Sequence, residues 1–166
     1  SVREKKKLEN SEFVIGGCGL QEWRKGPDLF VHVAKVFKET YPNAKVRFVW
    51  VGGEGGFTNQ LNYEAELLGM VDSVEFVGEV ANPSDYFSTF DIFLLTSRED
   101  PFPLVVLEAI AETTPVLGFE GVGNIENVIN VISENLIEYL DVSAVAHRIW
   151  YYYNNEIHRL NHGQLL

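Results

Sequence analysis

Short apolar runs that end in glycine or proline alternate along this chain with segments of helical period, and that alternation constrains the fold more than any other feature. Phe13-Val14-Ile15 reads as a strand running into the glycine turn Gly16-Gly17-Cys18-Gly19. Gly26-Pro27-Asp28 then opens a helix whose apolar residues Leu29, Phe30, Val33, Ala34 and Phe37 recur at helical spacing until Pro42 stops it. Val46 to Val51 is a second strand, closed by Gly52-Gly53-Glu54-Gly55-Gly56. Thr58 caps the helix that follows, on which Leu61, Ala65 and Leu68 share a face. Val74 to Val77 is a third strand, Asn82-Pro83 begins a short helix, and Ile92 to Leu95 is a fourth strand. A helix around Glu108 leads to a fifth strand, Pro115 to Phe119, a helical turn, Ile125 to Asn130, a sixth strand, Leu136 to Tyr139, and a last helix, Val142 to Asn154. Strands that are unbroken apolar runs belong inside a parallel sheet covered by helices on both faces. The expected class is doubly wound α/β.

The 166 residues, 46% hydrophobic and 13% aromatic, suffice for one domain with its own core. Residues 1–11 read as a flexible leader carrying Arg3, Lys5, Lys6 and Lys7, and residues 12–166 as the domain. A formal charge of −11 opposes binding to nucleic acid or to an anionic membrane surface, so any phosphate must be held locally. Of the early basic residues, only Arg24 and Lys25 fall where a site could be. Cys18 is the sole cysteine, which excludes an internal disulfide and suits a reducing compartment. No segment has the length and hydrophobicity of a membrane span or of a signal peptide.

In doubly wound sheets, ligands bind beyond the carboxyl ends of the strands. That rule gathers three segments: residues 16–25, 52–56 and 97–103. Neither glycine loop is a standard nucleotide motif, since Glu22 stands where the dinucleotide fingerprint needs its third glycine and no Walker lysine follows the second loop. The third segment leads into Leu104-Val105-Val106-Leu107-Glu108-Ala109-Ile110-Ala111, a helix apolar on both faces except for Glu108. Two readings are open for that carboxylate. It is buried and meets a ligand that hydrogen-bonds it, or it faces solvent at the domain edge. The loop before the helix presents freed N–H groups and a positive dipole end, which suits an anionic or hydroxyl-rich ligand.

The residues in order are similar to one family. A glycine turn followed by Lys25-Gly26, Val51-Gly52-Gly53, Phe76-Val77-Gly78, Asp91-Ile92-Phe93-Leu94-Leu95-Thr96-Ser97, two acids separated by seven residues and ending in Glu108-Ala109, Pro115-Val116, and Gly121-x-Gly123-Asn124-x-Glu126 all recur there. Over nearly the whole chain the pattern resembles the C-terminal, donor-binding half of retaining GT-B glycosyltransferases of family four. The resemblance implies a Rossmann-like parallel sheet with helices on both faces, one half of a GT-B fold. It also implies a nucleoside-diphosphate sugar as donor substrate, a hydroxyl acceptor that is a glycan or lipid-linked glycan, a cytoplasmic enzyme of polysaccharide or glycoconjugate synthesis that meets the inner face of the membrane through its other half, and no metal or other cofactor.

Carried over residue by residue, the resemblance makes Glu108 the acid that binds the ribose hydroxyls. Asp100 becomes the acid that hydrogen-bonds the transferred sugar, where the family usually has Glu, with Glu99 beside it a competing candidate. Lys25 matches the lysine that neutralises the diphosphate leaving group. Pro101 and Pro103 replace glycines common in relatives and leave the N–H groups of Phe102, Leu104 and Val105 to meet sugar or phosphate. Gly17 and Gly53 line the donor site, and main-chain groups around Val77 and Gly78 hold the base. Relatives place an arginine directly after the first-strand glycine; here Arg24 either supplies that charge or is part of an exposed pair with Lys25.

His158 and His162 have the spacing of helical zinc ligands but no third ligand beside them, and Cys18 lacks a catalytic partner. Trp150-Tyr151-Tyr152-Tyr153 reads as packing of the last helix. Two function classes therefore stand: a glycosyltransferase of hexosyltransferase type, and a non-catalytic nucleotide-sugar-binding or interaction module of the same fold, with half of a nucleotide-sugar epimerase as a third. On the first, the chain carries the donor half without the N-terminal acceptor domain, so it binds donor and transfers nothing alone.

Overall fold

A computed structural model describes residues 12–166, so the leader assigned to residues 1–11 lies outside the described residues. The sheet has six strands, β1 (Phe13–Cys18), β2 (Val46–Val51), β3 (Val74–Gly78), β4 (Ile92–Leu95), β5 (Val116–Phe119) and β6 (Leu136–Ile137). They run in the order β3-β2-β1-β4-β5-β6, with every neighbouring pair parallel. This is the doubly wound order whose switch point lies between the first and fourth strands. The helices are α1 (Pro27–Thr40), α2 (Thr58–Leu67), α3 (Ser84–Phe87), α4 (Leu104–Ala111), α5 (Ile125–Ile129), α6 (Val142–Asn154) and α7 (Glu156–Leu165).

Alternate side chains of each strand feed separate cores. Phe48, Trp50, Ile92 and Leu94 join Phe30, Phe37, Val145 and Ile149 of α1 and α6 on one face. Val49, Val51, Phe93 and Leu95 join Phe87, Val106, Ala109 and Ile125 on the other. Because both faces are covered, the strands are apolar at consecutive positions rather than every second one.

Several expectations need correction. Gly16 and Gly17 are not in a turn; they lie within β1, where a Cβ would strike the ring of Phe90 on one face and that of Trp50 on the other. Missing side chains let the strand pass between two aromatic layers, and the glycine turn starts only at Gly19, whose φ is 152°. Thr58 is the first residue of α2 rather than its cap; its hydroxyl accepts from Gly55 N–H at 2.9 Å and donates to Gln21 Oε1 at 2.9 Å. The sixth strand shortens to two residues, and a six-residue 3-10 stretch, Asn130–Asn135, precedes it.

The helix ending at Asn154 is not the last. In α7, buried Arg159 pairs with Asp91 at 2.8 Å, and Asp91 also accepts from Val14 N–H at 2.9 Å. The amino ends of β1 and β4 are thereby fixed to α7. Gly163 lets α7 close on the preceding layer, since a Cβ there would fall 1.9 Å from the Thr113 carbonyl oxygen.

Candidate functional site

At the switch point the chain leaves β1 and β4 in opposite directions, and the two following loops are bolted to each other. After β1, residues Trp23–Lys25 form a 3-10 turn that Gly26 ends in the left-handed region, with φ 67°. Gly26 is needed twice over, because a Cβ would also lie 1.9 Å from the Thr96 carbonyl oxygen. Thr96 Oγ1 donates to the Gly26 carbonyl at 2.8 Å, and Arg98 N–H donates to the Arg24 carbonyl at 2.8 Å. The Arg98 guanidinium then spans the gap, donating to Trp23 O at 2.7 Å and to both oxygens of buried Asp28 at 2.8 and 2.5 Å. It also stacks 4.7 Å from the Trp23 ring centre. Hydrogen bonding to Asp28 is the main reason the Arg98 pKa rises.

This framework sets Lys25 Nζ 2.6 Å from Asp100 Oδ2, with side-chain exposures of 18% and 6%. Ser97 Oγ lies 3.4 Å from the same oxygen. Among the described residues Asp100 Oδ1 has no hydrogen-bond partner, so one face of this buried carboxylate is available. From the far side, Asn124 donates to Pro101 O through N–H at 3.3 Å and Nδ2 at 2.9 Å. Helix α4 starts beyond Pro103 with no side-chain cap, and among the described residues the N–H groups of Phe102, Leu104 and Val105 meet no acceptor. Those donors and the positive end of α4 therefore open beside the Lys25–Asp100 pair.

In its exposure Glu108 follows the second of its two readings, and an exposed carboxylate stays open to a ligand. Only Val106 and Ala109 of α4 are buried, and Glu108 is exposed on the outward face with Leu104 and Leu107, so a helix apolar on both faces covers only one of them. The reason is that a two-turn helix lying on one face of the sheet, here against β4 and β5, buries one stripe however apolar the rest is. Burial chiefly, and the Glu108 charge second, push the Cys18 thiol up to about 11, with Lys25 opposing. Both charges thus flank the carboxyl end of β1.

Beyond Cys18 a cleft of about 510 Å³ runs along the ends of β2 and β3, lined by Gly19, Leu20, Gly52, Gly53, Glu54 and Glu79 among others. Gly52 N–H donates to Gly78 O at 2.9 Å, and a Cβ on Gly52 would lie 2.0 Å from Gly19 O, so the two strand-end turns interlock through bare backbone. Gln21 N–H donates to Gly53 O at 3.0 Å. The β3 side of the cleft is formed by Glu79, Val80 and Pro83; half-buried Val77 and Gly78, the latter with φ 84°, end β3 just before it.

The structure thus brings together Lys25, Asp100, Phe102, Leu104, Val105 and Glu108 around one strand end, with Gly53 lining the adjoining cleft and Val77 and Gly78 ending β3 beside it without lining it. Three candidates fall elsewhere. Gly17 is packed within β1, Glu99 is exposed beside the buried Asp100, and the Arg24 side chain is exposed and paired with Glu22 at 3.3 Å. Of its two readings Arg24 takes the surface one, and its carbonyl is the part that organises the site. Sequence reasoning missed Arg98, Asp28, Gln21 and Asn124. Asp28 in the first turn after Gly-Pro and Arg98 two residues before Asp100 were the visible signals, but nothing in a linear pattern pairs them. Among the described residues no group of three or more His, Cys, Asp or Glu could hold a metal.

The doubly wound sheet places both the glycine-lined cleft and the Lys25–Asp100 pair beyond the carboxyl ends of its strands, the side on which domains of this class bind ligands. The glycosyl transferases group 1 family matches residues 1–164, and the chain belongs to that family. It is 34% identical over 112 residues to mannosylfructose-phosphate synthase of Agrobacterium fabrum, covering 63% of this chain and 24% of that protein. The C-terminal domain of a group 1 glycosyl transferase from Francisella tularensis superposes with a TM-score of 0.78 at 22% identity, covering 98% of this chain and 87% of that one. An Anabaena protein solved in complex with UDP and glucose gives 0.83 at 19% identity, with 99% of this chain and 46% of that one covered. The fold is therefore that of a GT-B glycosyltransferase domain. The chain spans between a fifth and a third of the length of the curated relatives it matches.

Proposed function

We propose that this chain is the donor-binding domain of a retaining glycosyltransferase, which moves a sugar from a nucleoside diphosphate to a hydroxyl acceptor in polysaccharide or glycoconjugate synthesis. The observation that carries the reading is the Lys25–Asp100 pair, 2.6 Å apart, set against the uncapped amino end of α4. In transfer, the bond from the anomeric carbon to the phosphate oxygen breaks and its electron pair leaves with the nucleoside diphosphate. The acceptor oxygen bonds to the same face of that carbon and its proton is released. Negative charge grows on the departing phosphate, where Lys25 Nζ and the N–H groups of Leu104 and Val105 stabilise it. Asp100 steadies Lys25 through Oδ2 and offers Oδ1 to a sugar hydroxyl, while Glu108 accepts from the ribose hydroxyls.

The Anabaena protein's complex with UDP and glucose supports the ligand class, and the named activities of the curated relatives support transfer. The acceptor site belongs to a second domain that faces this one across the cleft. Thermal-shift titration with UDP-, GDP- and ADP-sugars tests the reading, because a ligand bound only by the native state raises Tm by mass action. At least one sugar nucleotide should stabilise the protein, and Lys25→Gln should weaken it about tenfold or more, the scale of one charge-assisted contact. Failure of every sugar nucleotide to stabilise the native chain would overturn the proposal.

A further inference from the structure

We infer that Glu79 reads the base of the nucleotide and that it selects guanine, an inference that rests on the donor-binding role proposed above. On that role, phosphates lie at Lys25 and ribose at Glu108, both close enough to Cys18 for their charges to act on its thiol. Cys18 also lines the cleft, together with Gly52, Gly53, Glu79 and Val80, so the base enters the cleft that Glu79 lines. Gly53 leaves the room: a Cβ there would sit 3.5 Å from the Glu79 Cβ and 3.9 Å from its Oε2, so the carboxylate lies over a bare backbone position. Among the described residues Glu79 has no ion-pair or hydrogen-bond partner that would occupy it.

An ionised carboxylate only accepts hydrogen bonds, and its two oxygens suit two parallel donors. Guanine presents that pair on one edge, N1–H beside the 2-amino group. Uracil offers a single N3–H between two carbonyl oxygens, which the carboxylate repels. Adenine offers its 6-amino group next to the N1 lone pair. A site built around a hydrogen-bonding partner discriminates strongly against a base that leaves it unmatched. Hypoxanthine separates the components, since it keeps N1–H and lacks the 2-amino group.

Calorimetry of the chain with GDP, IDP, UDP and ADP tests the inference. GDP should bind at least about tenfold more tightly than UDP or ADP, with IDP between, since one charge-assisted hydrogen bond is worth about that factor. Glu79→Gln should erase most of the GDP preference, weakening GDP while UDP, freed of the repulsion on its carbonyls, binds no more weakly; Tm should be unchanged, because Glu79 is exposed and makes no fold-holding contact. Glu54→Gln, which changes another carboxylate of the cleft lining, should retain the preference. Equal binding of GDP and UDP, equal binding of GDP and IDP, or a preference that survives Glu79→Gln would overturn the role of Glu79 while leaving the donor site intact. Binding of none of the four would overturn the donor site itself.

Discussion

Replacing Arg98 with Met should unlock the two loops that carry Lys25 and Asp100. Arg98 makes three hydrogen bonds, one to Trp23 O and two to Asp28, and the side chains of the pair are 12% and 9% exposed. Methionine preserves most of the apolar stem, so the loss is the charge and its bonds. Removing one partner of a buried pair typically costs 3–5 kcal/mol, because the other charge stays buried without compensation. The residual exposure of both groups lets water reach Asp28, which lowers the expected loss to about 2–4 kcal/mol. At about 3 °C per kcal/mol for a domain of this size, Tm should fall by about 6–12 °C. Urea unfolding of Arg98→Met, Asp28→Asn and the double variant forms a thermodynamic cycle. The double variant should be more stable than the sum of the single losses predicts, with a coupling of about 1.5 kcal/mol or more. A loss below about 1 kcal/mol for Arg98→Met, or additivity across the cycle, would refute the idea that this pair joins the loops.

If Glu108 holds the ribose, Glu108→Gln should weaken sugar-nucleotide binding by about 1–3 kcal/mol while leaving stability unchanged, and unaltered affinity by calorimetry would count against that role. Cys18 gives a pH signature. Its folded pKa of about 11 exceeds the ordinary value of 9.0, so its contribution to stability is complete below pH 9 and is lost as pH rises toward 11. Stability should fall across that window in the native chain and less steeply in Cys18→Ser, and alkylation of the folded protein should be slow at neutral pH; matching slopes or fast alkylation would show that the thiol is not held protonated. Gly163→Val should lower Tm by several degrees, since its Cβ would overlap the Thr113 carbonyl at 1.9 Å, and a neutral substitution would mean α7 does not pack there. Supplied with a donor it binds, the 166-residue chain should form no glycoside with hydroxyl acceptors, since nothing across its open cleft orients an acceptor or excludes water; sustained transfer would refute the two-domain reading.

The strands and most helices were legible because burial on both sheet faces leaves a periodicity in the residues themselves. Val46–Val51, Ile92–Leu95 and Val142–Asn154 keep the bounds read from the chain. α7 was not legible, since its buried residues are Arg159 and Gly163, which a search for apolar periodicity passes over. Gly16-Gly17 resembled a turn because glycine marks both turns and close packing, and only the rings of Phe90 and Trp50 decide between them. The same ambiguity governed Glu108: eight apolar-rich residues look buried, yet which stripe is covered depends on where the helix lies on the sheet. At the site, Lys25 and Asp100 were found as separate marks 75 residues apart, and their 2.6 Å contact exists only once β1 and β4 are neighbours.

The distribution of charge around the cleft follows the chemistry of a sugar nucleotide more closely than that of a simple anion. Glu54, Glu79, Glu99 and Glu108 are all exposed on segments that leave the carboxyl side of the sheet, in a chain whose formal charge is −11. A site designed only for phosphate would place cations there, as the surrounding field otherwise drives the anion away. Carboxylates instead suit the donors of a ligand: hydroxyls of ribose and sugar, and N–H groups of a base. The phosphates need acceptor-binding groups, and those are concentrated in one place, at Lys25 and the free N–H groups that open α4. On the proposed donor role, this small cationic point in an acidic rim holds inorganic diphosphate weakly, whereas a sugar nucleotide gains from both parts at once, its phosphates at Lys25 and its hydroxyls and base at the rim.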